Sequence, residues 1–258
     1  MAQNKLVTHP DVAALARSYN ILGVAGHLRD WISHTYQGNN LDHYSKADLH
    51  WLISETLLDY YKGESTLKAR LVKLFIDRQV TAAFEIKVNK SRVDFLTLNG
   101  DSKSFEIKSE LDNLQKLPKQ ISDYQQVFDY NYLVTDERHY KKALQLVPPH
   151  YGIMVLHGHE LTEDRSAERN TRLNTTAQLQ LFTRRELAQT FPIPGITPEE
   201  IIINFEASEI NLWFKQMLNK RYAKRWQFLV GHKGKINPID YQFFFQHNIH
   251  PGIIYGTV

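Results

Sequence analysis

Glu85, Asp94, Glu106 and Lys108 lie in one stretch, Phe84 to Lys108, where apolar and polar residues alternate. Three carboxylates and an ammonium brought to one side of short strands would form a site for a divalent cation beside a fixed positive charge. Hard carboxylate oxygens suit Mg²⁺ or Mn²⁺. Such an ion polarises a phosphate oxygen, lowers the pKa of a bound water and stabilises a leaving alkoxide. Lys108, two residues from Glu106, would orient or help deprotonate the water, or neutralise charge growing on the phosphate. The chemistry this indicates is phosphodiester hydrolysis.

The elements that must position these residues read as three strands. In 83–88, Phe84, Ile86 and Val88 share one face and Glu85 and Lys87 the other; in 92–98, Val93 and Phe95 oppose Asp94 and Leu96; in 104–109, Phe105 and Ile107 oppose Glu106 and Lys108. A two-residue turn at Asn89-Lys90 pairs Val88 with Ser91 and sets Glu85 opposite Asp94. A three-residue loop at Asn99-Gly100-Asp101 pairs Leu98 with Ser102 and sets Asp94 opposite Glu106. A one-residue slip in either turn moves a carboxylate to the other face. Like charges placed directly opposite destabilise a sheet, and a divalent cation removes that objection.

Around this meander the chain alternates helix and strand. Pro10, after Thr8-His9, opens a first helix containing Val12, Leu15 and Ala16. A second runs from about His27 to the turn cluster Gly38-Asn39-Asn40. Ser45 and Asp48 form a capping box for a third, with Leu49, Leu52, Ile53, Leu57 and Tyr60, which Gly63 stops. Ser65 or Thr66 opens a fourth with Leu67, Leu71, Leu74 and Phe75. After the meander, Pro118 occupies an early helix position, and Gln120 and Tyr124 follow one turn apart on one face. Residues 131–135 read as a buried strand. Thr135 or Asp136 caps a helix reaching Leu146, ended by Pro148-Pro149, and 151–156 is another apolar strand. Strand, helix, strand at this length implies a parallel pair.

Asp94, eleven residues, then Glu106-Ile-Lys108 resembles the PD-(D/E)XK nuclease superfamily, with Val93 in place of the usual proline. The Gln120-x-x-x-Tyr124 pair is similar to that of the RecB and phage lambda exonuclease branch. The segment from Glu106-Ile-Lys-Ser-Glu-Leu-Asp112 to Tyr132-Leu-Val-Thr135 also resembles small bacterial proteins known only as predicted nucleases. The resemblance covers about 67–156. It implies an α/β (α+β) fold, a restriction-endonuclease-like mixed β-sheet flanked by helices, with helical N- and C-terminal additions. It implies that Asp94, Glu106 and the carbonyl of Ile107 ligate Mg²⁺ or Mn²⁺, that Lys108 assists the water, and that Gln120 and Tyr124 support the scissile strand. DNA is the expected substrate ahead of RNA, in defence or DNA processing. The family's upstream glutamate often lies on a helix, which would suggest Glu55; the register argument prefers Glu85.

The remainder bounds this reading. The chain has 258 residues, no cysteine and a formal net charge of +3, with pI near 8.8. These exclude a disulfide framework and thiolate zinc sites, and permit a nucleic-acid partner. With no long apolar run and no signal-like N-terminus, no membrane association is expected and the default compartment is the cytoplasm. The twelve histidines show no pairing suited to zinc. Three regions follow: 1–64 helical, 65–157 the nuclease core, and 158–258 mostly helical. Residues 157–175 read as an exposed connection or lid; beyond them Thr183-Arg-Arg-Glu186 starts a short helix broken at Phe191-Pro-Ile-Pro-Gly195, and Glu199 or Glu200 stands near the start of another. From Trp213 aromatics interleave with Lys215, Lys220, Arg221, Lys224 and Arg225, a candidate phosphate-tracking surface. The competing expectation is a catalytically inactive nucleic-acid-binding or protein-interaction module, with a protein partner engaged through the C-terminal region.

Overall fold

The computed structural model describes residues 9–36, 40–191, 193 and 196–256. The helix stop expected at Gly38-Asn39, the residue Thr8 before the first helix, and Pro192, Pro194 and Gly195 of the expected break lie outside them. α1 (His9–Ser18), α2 (Ala25–Ser33) and α3 (Lys46–Tyr60) bury Val12, Leu15, Leu28, Ile32, Leu49 and Ile53 in a cluster of their own. α3 starts at the expected capping box, in which Ser45 and Asp48 exchange side-chain and backbone bonds. α4 (Glu64–Lys73) begins a residue earlier than the Ser65 or Thr66 expected, with Gly63 as its N-cap.

β1 (Thr81–Val88), β2 (Ser91–Asn99) and β3 (Asp101–Lys108) follow as an antiparallel meander, then α5 (Leu117–Tyr124), β4 (Tyr130–Asp136), α6 (Glu137–Leu146), β5 (Gly152–His157) and β6 (Glu160–Arg165). Among the described residues the sheet is mixed, with six strands in the order β1-β2-β3-β4-β5-β6. β3, β4 and β5 run parallel, as the strand-helix-strand spacing predicts. Val88 pairs with Ser91 and Leu98 with Ser102, the registers that the two turns require. Asn89 and Gly100 supply the left-handed residues, at φ 53° and 73°. β6 departs from expectation: 160–165 forms an edge strand antiparallel to β5 rather than an open connection. Only Leu161 of β6 is buried, so its charged sequence carries no hydrophobic alternation to reveal it.

The two faces of the sheet bury different helices. Tyr132 and Val134 of β4 join the large core with Phe84, Phe95 and Phe105, while Leu133 between them packs with Ile121, Ala143 and Tyr151 under α5 and α6. The large core continues into the C-terminal helices. These are α7 (Thr175–Leu179), α8 (Arg184–Thr190), α9 (Pro198–Asn204), α10 (Ala207–His232), α11 (Tyr241–His247) and α12 (Pro251–Tyr255). α8 and α9 both open on capping boxes, Thr183 with Glu186 and Thr197 with Glu200. α10 lies along β1 and β2 and sets Trp226 against Phe95; α11 sets Phe245 against Phe84. One hydrophobic cluster therefore crosses the boundary drawn at 157 from sequence. No helix among the described residues is long and apolar enough to cross a membrane.

Candidate metal and active site

The ladder between β2 and β3 runs from Asn99 and Asp101 to Phe95 and Phe105, and stops there. Asp94 sits at the parting. Its Oδ2 accepts the Ile107 backbone N–H at 2.7 Å, giving that amide a partner where the strands have separated. It is the Ile107 N–H, not the carbonyl expected as a ligand, that touches Asp94, and the Ile107 side chain lies in the core.

Glu106, only 2% exposed, is held from three directions. Its Oε1 accepts from Lys108 Nζ and from Gln120 Nε2, and its Oε2 accepts the Tyr124 hydroxyl at 2.8 Å. The same hydroxyl lies 2.7 Å from the Arg92 carbonyl oxygen, so one proton serves two acceptors. The Gln120-x-x-x-Tyr124 spacing therefore grips a single carboxylate from one helix face. Burial pushes the Glu106 carboxyl up, opposed by Lys108, Tyr124 and Gln120. Burial, then the Glu106 charge, raises the Tyr124 hydroxyl, which keeps its proton at neutral pH.

Glu85 has φ 57°, left-handed backbone inside a strand, and the ladder passes from Phe84–Phe95 to Ile86–Val93 without a bonded pair at Glu85 and Asp94. The frame is the expected one, but the conformation costs roughly 1–2 kcal/mol for a residue with a Cβ. Its carboxylate engages Lys68, with Nζ 2.8 Å from Oε1, and Arg92 stands 4.0 Å from Oε2. Glu64, at the start of α4, completes the group: carboxylate oxygens of Glu64, Glu85 and Asp94 lie within 4.8 Å of one another. The helix-borne acid that stands beside Glu85 and Asp94 is Glu64, while Glu55 is exposed on α3.

Glu64, Lys68 and Gln242 were not singled out by sequence. Lys68 Nζ also donates to Glu64 Oε1 and to Gln242 Oε1 of α11, each at 2.8 Å. Burial would lower the Lys68 pKa, but the charges of Asp94, Glu64 and Glu85 outweigh it and raise it, so the group is an ammonium at neutral pH. Burial is likewise the main cause that lifts the Asp94 carboxyl well above its ordinary range. Glu106 and Glu64 add to the rise, while Lys68 and the Ile107 amide oppose it. A cavity of about 470 Å³ opens beside this group, lined by Glu64, Lys68, Glu85, Tyr61 and Gln242. The one sequence cue is that Lys68 falls between Leu67 and Ala69 and ahead of Leu71 and Val72, on the apolar side of α4.

The basic stripe is divided. Lys215 stands 3.3 Å from Asp129 Oδ2, and Arg221 makes two 2.7 Å contacts to Glu186 with a further bond to the Leu181 carbonyl. Their charges are matched inside the protein, which removes them from a phosphate-tracking surface. Lys220, Lys224 and Arg225 are exposed. The aromatics pack inward: Trp213 stands edge-on to Phe191 and Phe205, and Phe214 meets Phe128 and Phe182.

The sheet and its helices define a mixed α/β protein with an acidic and lysine-containing centre where β2 and β3 part. Within that class, the family described as bacteriophage P4 protein cII matches residues 59–244, well over half of the sequence, and the chain belongs to it. No curated protein matches the sequence at a significant level. Among solved structures, a protein of unknown function from Silicibacter pomeroyi is 17% identical over 45% of this chain and 77% of its own, with a TM-score of 0.35.

Proposed function

We propose that the protein is a divalent-metal-dependent nuclease that hydrolyses phosphodiester bonds in DNA. The observation that carries this reading is the convergence, at one end of the sheet, of Asp94, Glu106, Lys108, Gln120 and Tyr124 with Glu64 and Glu85. The donor set fits the metal: clustered carboxylate oxygens suit Mg²⁺ or Mn²⁺. Burial, and then like charges, also raise the Asp94 pKa, a penalty that a bound cation removes. Glu64, Glu85 and Asp94 would hold the ion, with Glu106 beside them. When bound, it would polarise the phosphate and lower the pKa of a water.

The chain's own residues do the rest. Gln120 and Tyr124 fix the rotamer of Glu106, and the Ile107 amide fixes Asp94, so both carboxylates are set before substrate arrives. Lys108 carries a positive charge beside Glu106 and would balance negative charge on the phosphate as a water oxygen bonds to phosphorus. The bond from phosphorus to the leaving sugar oxygen breaks, and that oxygen takes up a proton. Lys220, Lys224 and Arg225 offer sequence-independent contact to the backbone.

The test is nicking of supercoiled plasmid in Mg²⁺, Mn²⁺ or EDTA, with single-stranded DNA and RNA as further substrates. Wild type is expected to cut DNA only with metal, and Asp94→Ala and Lys108→Ala to lose at least about 100-fold in rate, the scale of a lost electrostatic contact to the transition state. Intact DNA under every condition would overturn the reading. One observation favours a second reading, a non-catalytic nuclease-fold module: Lys68 already neutralises part of the acidic cluster. That reading expects DNA retention in a binding assay with no cleavage.

A further inference from the structure

We infer that Lys68 stands in the place of a second cation, so that this site takes one divalent ion and uses a side chain for the other positive charge. The inference rests on the nuclease reading and deepens it. Two-metal sites hold their ions roughly 3.5–4 Å apart, bridged by shared carboxylates. Here the oxygens of Glu64, Glu85 and Asp94, within 4.8 Å of one another, enclose room for one ion. The adjoining position, bridged by Glu64 and Glu85, is filled by Lys68 Nζ at 2.8 Å from each.

Lys68 is built into that position. It projects from the buried side of α4 and is 8% exposed. An ammonium has three protons, and three acceptors surround this one: Glu64 Oε1, Glu85 Oε1 and Gln242 Oε1. The third acceptor is a neutral amide from α11, which orients the group without adding charge. Charge points the same way: Lys68 and Lys108 already stand beside these carboxylates and Arg92 lies 4.0 Å from Glu85 Oε2, so each further cation adds positive charge to a set that is partly neutralised.

The test is a Mn²⁺ titration of the full chain, counting bound ions from the paramagnetic resonance signal of free Mn²⁺ and by calorimetry. Wild type and Lys68→Arg are expected to bind one ion per chain, and Lys68→Met two. Two ions in wild type, or one in Lys68→Met, would overturn the inference while leaving the nuclease reading intact. No ion in wild type would overturn the metal-dependent reading and this inference with it, whatever Lys68→Met binds. Circular dichroism of each variant shows whether it folds. If Lys68→Met does not, the counts for wild type and Lys68→Arg decide: one in both upholds the inference, and two in either overturns it.

Discussion

Asp240→Asn should stabilise the protein, and more so at pH 8 than at pH 5. Asp240 lies in the short 3₁₀ turn before α11 and is 5% exposed. Its Oδ2 accepts hydroxyl protons from Tyr19 and Tyr255, each at 2.9 Å. Burial dominates these bonds and raises its carboxyl from the ordinary 3.8 to about 7. A folded-state pKa above the unfolded one means that stability is fully present below the unfolded value and is lost as pH rises through the folded value. With 3.8 and about 7, the loss comes to roughly 1–2 kcal/mol at pH 5 and roughly 4 kcal/mol at pH 8. The substituted amide does not titrate, so its advantage should grow by roughly 2–3 kcal/mol between these pH values, or roughly 5–10 °C in Tm for a chain of this size. His50, 2.8 Å from the Tyr19 hydroxyl, is held at about 4 chiefly by burial and then by Lys46, so it is neutral throughout the window. Urea denaturation of both proteins at pH 5 and pH 8 reads the difference directly. A gap between variant and wild type that does not change with pH would refute the reasoning.

Three further outcomes follow from contacts elsewhere. Tyr124→Phe leaves Glu106 Oε2 and the Arg92 carbonyl without their shared proton, so about 1–3 kcal/mol of stability should go, with at least a tenfold fall in cleavage; denaturation and nicking assays on the same preparation check both. Glu186→Ala breaks the paired contacts to Arg221 and should destabilise by roughly 1–3 kcal/mol without changing DNA affinity. By contrast, Lys220→Ala, Lys224→Ala and Arg225→Ala combined should weaken binding and flatten its salt dependence in fluorescence anisotropy. A Cβ on Gly152 would lie 2.2 Å from the Tyr132 ring and 2.9 Å from the Ala167 nitrogen, so Gly152→Ala should lower stability by about 1–3 kcal/mol, measured by thermal melting.

What could be read from sequence was what local rules determine. Asn89-Lys90 and Asn99-Gly100-Asp101 determine strand frame through turn geometry, so the facing of Glu85 and Asp94 is written in the local sequence. The same holds for Gln120 and Tyr124, whose one-turn spacing on α5 aims both at Glu106. The Ser45 and Thr183 capping boxes are equally local. Glu64 and Lys68 escaped because an i, i+4 acid–base pair near a helix start is ordinary on a solvated surface; only tertiary packing buries it against Glu85. Lys215 and Arg221 misled for the converse reason. Their partners Asp129 and Glu186 are remote in sequence, so a run of cations on α10 looked more available to phosphate than it is.

The parting of β2 from β3 explains why the site is where it is. Inside a continuous sheet, a residue serves one face, and helices on opposite faces cannot reach the same atom. Past Phe95 and Phe105 the ladder ends, and residues from both sides meet there. Lys68 and Glu64 come from α4, Gln242 from α11, and Gln120 and Tyr124 from α5, to a single group of carboxylates on β1, β2 and β3. The left-handed backbone at Glu85 belongs to the same arrangement. A strained residue persists only where its surroundings determine its conformation, and the ion pair with Lys68 ties this one to α4. The opening that costs the sheet its hydrogen bonds is therefore what allows helices on two faces to hold one set of charges.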